Sequence, residues 1–471
     1  MILSGRWVVP VSSPPLEYAA IAVEGSQILE IGSLETIRKH HPRHLWKDFP
    51  AAVLLPGFVN VHSHLELTVL RGYLEGLDFW RWIRTLTRAK YEVLNQDDIL
   101  ASALLGAIEA IRAGVTTVAD PMDLGASLDA VLATGLRAVL YQEVFSPKPE
   151  EAEQAVESLK EKMNLLESRL ARWPEGARLQ ATTLNNADVA RRHQRVTLGV
   201  SPHAPFTVSA PLFQETVRFA QEQNYLVCIH AAESEAETEL IKNGSGVMME
   251  SFRQRGITWN PPRASPVAYL HDLGILKPNT LLVHCIRLEA PDYETLCNQG
   301  VRVAHCPKSN ARLQHGWMNL KAMREHRIPT GLGSDSVASN NSMDLFEEMR
   351  FASANPCWMS AAADGLSTHD ALRMATLGGA EALGLSKSIG SLEAEKQADV
   401  IAVDLCQPHN LPVFSPIDAL VLSARASDVV FTMVAGEVLF ENGSRSGALD
   451  ASLHQSIEKA REKLQNARSA V

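Results

Sequence analysis

Residues 56–67 read PGFVNVHSHLEL and follow the apolar run AAVLL at 51–55. Apolar, β-branched residues broken by Pro-Gly predict a buried strand over 57–64. Side chains two apart on a strand share a face, so His62 and His64 project together from its end, on either side of Ser63. Two imidazoles placed that way can grip one metal ion. An isolated His-x-His has little specificity, however, and more often just closes a strand with polar residues. The pair needs partners elsewhere in the chain.

The rhythm of the chain around this stretch predicts where those partners come from. Strand-like runs recur at 57–64, 115–121, 136–144, 196–205, 225–233, 280–285, 301–307 and 328–335. Helical segments lie between them, among them DILASALLGAIEAIRAG at 98–114 and APLFQETVRFAQEQN at 210–224. Strands alternating with helices in this way predict an α/β fold, a parallel (β/α)8 TIM-type barrel over residues 56–390. The ends differ: 1–55 and 391–447 are β-rich with glycine turns, and they are expected to pair into a small flanking β-sandwich. Residues 448–471 read as a terminal amphipathic helix.

The bulk properties exclude several classes. The 471 residues are 46% hydrophobic and 21% charged, which is ordinary globular composition. A net charge of -10 argues against a phosphate-binding surface, so no nucleic-acid partner is expected. The mixed-sign run at 150–173 reads as a solvated helix face. No basic start followed by a long apolar run is present, so neither a signal peptide nor a membrane span is expected. The six cysteines form no CxxC pair, and several sit in apolar runs. This points to a reducing, cytoplasmic setting without disulfides or a cysteine zinc site. The expected partner is a small-molecule substrate, and a homo-oligomer is compatible with the sequence.

Polar residues recur at the predicted strand ends: His203, then His230 and Glu233, then His284, His305 and Asp335. The C-terminal strand ends of a barrel converge on one mouth. His62, His64, His230 and Asp335 can therefore meet there despite their separation in sequence. Three imidazoles and a carboxylate suit Zn²⁺, and Fe²⁺ can use the same donors. A water on such an ion has its pKa lowered to roughly 7, which makes hydroxide available at neutral pH. Taken singly, His203 and His305 would be read as satisfied polar residues.

The order HxH, HAAE, HC, SD resembles the amidohydrolase superfamily, in its branch of nucleoside deaminases and chlorohydrolases. PGFVNVHSHLEL, HAAESEAE at 230–237, HCPKSNARL at 305–313 and GLGSDSVASNNSMDLFEEMR at 331–350 carry the resemblance, which spans essentially the whole chain. It implies that His62, His64, His230 and Asp335 ligate the metal. Asp335 also accepts a proton from the metal's water. Glu233 is implied as the acid/base that protonates a ring nitrogen, His284 as the histidine beside the attacking water, and His203 as a substrate contact. Two-metal members use a carboxylated lysine on the fourth barrel strand. Here that strand, TLGVSPHAP, has no lysine, which implies one metal per chain.

Within the branch, the motifs look most like aminodeoxyfutalosine deaminases, which remove the adenine 6-amino group. The alternatives are a 5′-methylthioadenosine/S-adenosylhomocysteine deaminase, an s-triazine or other aminoheterocycle hydrolase, and a scaffold that has lost its chemistry. The complete ligand set argues against the scaffold. Members acting on S-adenosylhomocysteine carry arginines after the third strand, whereas residues 141–157, YQEVFSPKPEEAEQAVE, contain none. Glu66 and the aromatics Phe79, Trp80 and Trp82 follow the first strand. Trp82 could stack on a purine, or it could pair with Phe79 in a buried helix stripe. Arg71 and Arg312 are the candidate cations for a substrate carboxylate.

Overall fold

The computed structural model describes residues 1–77, 79–174, 186–354, 366–442 and 451–469. Four strands open the chain: β1 (Ile2–Val8), β2 (Leu16–Glu24), β3 (Gln27–Ser33) and β4 (Trp46–Pro56). Eight more follow: β5 (Phe58–Asn60), β6 (Val115–Met122), β7 (Arg137–Val144), β8 (Val196–Pro202), β9 (Leu226–Ala231), β10 (Thr280–His284), β11 (Arg302–His305) and β12 (Thr330–Leu332). The last three are β13 (Val400–Asp404), β14 (Val429–Val434) and β15 (Glu437–Glu441).

β5 to β12 form one eight-stranded sheet in chain order, with each neighbouring pair parallel. Its two edges meet. The Val61 N–H donates to Leu332 O at 3.0 Å, and the Asp335 N–H donates to His62 O at 2.9 Å. This is the expected barrel. Its lumen is packed by residues two apart along several of its strands: Val59 and Val61, Val139 and Tyr141, Leu281 and Val283, Ala304 and Cys306. Closure depends on a missing side chain. A Cβ on Gly333 would stand 2.8 Å from His62 Cβ and 3.0 Å from Cys306 Sγ. Only glycine lets β12 approach β5 closely enough for His62 and Asp335 to meet.

Both chain ends build the small domain, in the strand order β15-β14-β13-β4-β1-β2-β3. The expected sandwich is one continuous sheet curled onto itself. The edge strand β3 exchanges hydrogen bonds with the segment leading into β13, through Ile28 N–H to Lys396 O and Ala398 N–H to Ser26 O. Leu3, Ile21, Ile28, Leu54, Val400 and Phe431 share the core between. Only Gly57 separates β4 from β5. A Cβ there would lie 2.0 Å from Thr116 Cγ2, so the chain can turn from sheet to barrel only at a glycine. The helix Ala451–Ser469 packs on the barrel helix Gln96–Arg112, burying Leu453, Ala460 and Leu464. The expected boundary at 447/448 lies outside the described residues. The five cysteines among the described residues are free, and Cys357 is not among them. No described helix is long and apolar enough to cross a membrane.

Candidate metal centre and active site

His62 and His64 leave the end of β5 pointing inward, and Ser63 between them turns outward. The Ser63 N–H donates to Ala119 O at 2.9 Å, and its hydroxyl donates to Asp120 Oδ1 at 2.9 Å. The same Asp120 oxygen accepts the Leu65 N–H at 2.7 Å. The His-Ser-His turn is thus pinned to β6 through its central residue. Burial raises the Asp120 carboxyl to about 7, opposed by the hydroxyls of Ser127 and Ser63 and the Leu65 N–H. Asp335 follows β12 with φ at +59°, and His284 ends β10 with φ at +75°. Neither is glycine, and left-handed backbone at such residues costs of order 1–3 kcal/mol. The strain sits where the side chains converge. At Asp335 it is held by the N–H bond to His62 O and by the Ser336 N–H donating to Asp335 Oδ1 at 2.7 Å.

Four donors meet at the barrel mouth. His62 Nε2 lies 3.3 Å from His230 Nε2 and 3.4 Å from Asp335 Oδ1, and His64 Nε2 lies 3.7 Å from the same oxygen. His64 Nδ1 faces Pro121 O at 3.2 Å, and His230 Nδ1 faces His203 O at 3.0 Å. A carbonyl accepts only, so both Nδ1 atoms carry protons and both Nε2 lone pairs point at the centre. Burial pushes His62 and His230 down to about 4 and His64 down to about 3, which leaves neutral imidazoles. Burial alone would raise Asp335, but His62, His284 and His64 outweigh it and hold the carboxylate well below its usual range. With their protons held at Nδ1, His64 and His230 turn acceptor lone pairs toward the Asp335 carboxylate, a crowding of acceptors that a cation between them would satisfy. The donor set therefore fits a divalent metal of the zinc type.

Glu233 and His284 flank this centre. Glu233 Oε1 is 3.6 Å from His284 Nε2 and 3.1 Å from His315 Nδ1. Burial would raise the Glu233 carboxyl. His284, His315 and His230 overcome that and hold it down to about 2. His284 Nδ1 is fixed by Asn310 Oδ1 at 2.9 Å. The Glu233 backbone is fixed by Glu237, whose carboxyl accepts the N–H groups of Ala232 and Glu233 at 3.0 and 2.8 Å.

A cavity of roughly 490 Å³ opens above the centre, and His64, His203, His230, Glu233, His284 and Asp335 reach it. Trp82, Ile83, Leu86, Phe145, Phe206, Met248, Phe252 and Leu313 make its outer wall apolar. His203 donates or accepts at Thr207 Oγ1, 2.8 Å away, and lies against Phe145 with ring centroids 4.8 Å apart. Trp82 lines the wall and is also packed, partly buried, against the core. The side chains of Phe79 and Trp80 lie outside the described residues.

Two expectations for the substrate side, Arg71 and Arg312, are corrected, while Glu66 does line the cavity. Glu66 reaches the wall, but its carboxylate accepts the N–H groups of Asp123, Leu124 and Ala126 and so fixes the loop after β6. Arg71 pairs with Glu109 and lines a separate surface cleft. Arg312 donates to Ser339 O at 2.9 Å and pairs with Glu75 at 2.5 Å, outside the cavity. Both arginines are turned outward by acids remote in sequence. Among the described residues the Lys and Arg side chains that line the cavity are Lys90 and Arg255, neither of them among the expected site residues. Glu143, His315, Asn310 and Ser309 were also missed. For Glu143 a signal existed, because it shares a strand face with Tyr141. His305 is buried with neither ring nitrogen hydrogen-bonded among the described residues, and burial pushes it down to about 3.

The model of the amidohydrolase family matches residues 53–439. A 5-methylthioadenosine/S-adenosylhomocysteine deaminase from Thermoanaerobacter pseudethanolicus is 32% identical over 91% of this chain and 90% of its own. An adenosine deaminase from Xanthomonas campestris, solved with bound zinc, superposes with a TM-score of 0.79 at 25% identity, covering 99% of this chain and 98% of the other. The Helicobacter pylori aminofutalosine deaminase, solved with methylthio-coformycin, shares the fold with a TM-score of 0.74 at 20% identity, over 93% of this chain and 100% of that one.

Proposed function

The chain belongs to the amidohydrolase family and is a hydrolase acting on carbon–nitrogen bonds; from that premise we propose that it is a metal-dependent deaminase of an adenine nucleoside carrying a 5′-thioether. The motifs favour 6-amino-6-deoxyfutalosine, whereas the relatives favour the methylthioadenosine and S-adenosylhomocysteine alternative. One observation carries the reading. A single cavity has a charged pole, reached by His64, His230, Asp335 and Glu233, and a largely apolar outer wall. The pole suits an aminopurine ring, and the wall suits a short alkylthio group.

His62, His64, His230 and Asp335 would hold one divalent ion, zinc by the precedent of the X. campestris structure. When bound, such an ion supplies Lewis acidity and acidifies a water. The other work falls to the chain. Glu233 enters as a carboxylate, takes up a proton and delivers it to the ring nitrogen beside the carbon under attack. Asp335 accepts the second proton and returns it to the departing amine. His284, oriented by Asn310, presents Nε2 to the oxygen that adds to the ring. His203 and Trp82 bind the substrate.

A second reading rests on Arg255. It lines the cavity at its exposed rim, on the turn that ends the helix Gly246–Gln254, where it can meet a substrate carboxylate. S-adenosylhomocysteine and 6-amino-6-deoxyfutalosine both bring one, and methylthioadenosine does not. The test is ammonia release from these three and from a chlorotriazine. Fast turnover of methylthioadenosine supports the first reading, and exclusive use of a carboxylate-bearing nucleoside supports the second. Triazine dechlorination without adenine deamination would refute both.

A further inference from the structure

Lys90 and Glu143 meet in the cavity wall near His64, and neither the metal donors nor Glu233 uses them. Glu143 stands near the end of β7, two residues beyond Tyr141. Tyr141 fills the lumen, so Glu143, on the same strand face, enters the cavity floor. Lys90 arrives from the opposite side on the π-helical turn Ala89–Val93, a distortion frequent at functional sites. Lys90 is 8% exposed and Glu143 is 5% exposed.

Their pairing is incomplete. Lys90 Nζ is 3.9 Å from Glu143 Oε2, beyond hydrogen-bonding distance. Two other acids act on Lys90: Glu66, whose carboxylate is taken up by the N–H groups of Asp123, Leu124 and Ala126, and Asp123, whose carboxylate lies 3.7 Å from Lys90 Nζ. Asp123 is already engaged by Lys162 at 2.9 Å and by the Tyr91 hydroxyl at 2.6 Å. A buried ammonium has three donors to satisfy, and a buried carboxyl has two oxygens. Leaving such groups short of partners is unfavourable, and a gap of this size is one that a hydroxyl can bridge with two ordinary hydrogen bonds. Much of the outer wall is apolar, with Arg255 at its exposed rim, so a buried acid–base pair on the cavity wall is a distinct place for a ligand's hydroxyls.

We propose that Lys90 and Glu143 form a sugar subsite that takes the vicinal 2′- and 3′-hydroxyls of a ribose, so that the enzyme selects ribonucleosides over their deoxy counterparts. The two carboxyl oxygens of Glu143 match two adjacent hydroxyls, and Lys90 donates to the oxygen of one of them. Charged or neutral, the Glu143 carboxyl retains two oxygens for the diol. A site built to hydrogen-bond a hydroxyl discriminates strongly against an analogue that lacks it, because its own buried groups are then left unpaired. The inference rests on the nucleoside reading above.

The test compares kcat/KM for 5′-methylthioadenosine and its 2′-deoxy counterpart in four proteins: wild type, Glu143→Leu, Lys90→Met and the double variant. Metal content and thermal melting are measured alongside. The double variant leaves neither partner of the pair buried alone, so it guards against misfolding of the singles. The expected result is a wild-type preference for the ribonucleoside of roughly 10- to 100-fold, the range for a hydrogen bond to a charged group. That preference should shrink toward unity in the variants. Equal use of both substrates by wild type overturns the subsite and leaves the deaminase reading standing. An undiminished preference in the folded, metal-loaded double variant also overturns it. Ammonia release only from heterocycles without a sugar removes both readings.

Discussion

The cavity has two ends built on different principles. At the metal pole the reactive residues grow from strand ends, and all but His62, whose Nδ1 has no hydrogen-bond partner among the described residues, are held by another residue. Pro121 O and His203 O fix His64 and His230, Ser309 fixes Asp335, Asn310 fixes His284, and Glu237 fixes the Glu233 backbone. At the outer wall, Trp82, Ile83 and Leu86 come from the helix Phe79–Arg88, and Met248 and Phe252 come from the helix Gly246–Gln254. Those side chains pack by shape, without a network of hydrogen bonds. Chemistry needs angles fixed to a fraction of an ångström, and strand ends tied into a closed barrel supply them. Specificity needs a surface that can differ between relatives while the pole stays the same, and helices laid over the mouth supply that.

This contrast can be broken by experiment. The largest effect should follow loss of the metal. Chelation, or His62→Ala, should abolish turnover, and elemental analysis should find about one divalent ion per chain in wild type and far less in the variant. Two firmly held ions per chain would contradict the single donor set. Next in size, Glu233→Gln should keep the metal while kcat falls by roughly 100- to 10,000-fold, the range for a general acid/base. Normal deamination by this variant would remove Glu233 from the chemistry.

Ser309→Ala tests whether the supporting contacts matter. Its hydroxyl donates to Asp335 Oδ2 at 2.5 Å, and losing a partner of that kind typically weakens metal binding roughly 10- to 100-fold. A competitive chelator titration reads this directly, and unchanged affinity would mean that the pole is less rigidly tied than the geometry indicates. At the wall the effects should be smaller and selective. Arg255→Ala should lower kcat/KM for S-adenosylhomocysteine or 6-amino-6-deoxyfutalosine by up to about 10-fold, because the contact is made at the solvent-exposed rim, and should spare methylthioadenosine. Equal loss on all three would make Arg255 structural. Arg71→Ala should change neither substrate class by more than about twofold, since its ion pair with Glu109 lies at the surface. A selective loss there would restore it as a carboxylate contact.

The barrel and its pole were legible in the sequence because both obey short-range rules. Strand periodicity of two places His62 and His64 on one face, and the C-terminal ends of parallel strands must converge. His230, Glu233, His284 and Asp335 could therefore be assigned to one mouth from their positions alone, and the structure brings them together. Glu143 obeys the same periodicity, through Tyr141, and lies inside the expected strand 136–144 as it does inside β7, so its inward direction was legible although no metal-donor motif marked it. The other residues had no local signal. Whether Arg71, Arg312, Arg255 or Lys90 faces the cavity depends on acids far away in sequence. Glu109 and Glu75 draw the first two outward, and the π-helical turn rotates Lys90 inward. The sequence by itself determined which chemistry this protein carries, because strand geometry ties residue spacing to direction. Tertiary structure alone decided which cations and carboxylates are left to meet a substrate, because a long charged side chain points wherever its nearest partner lies.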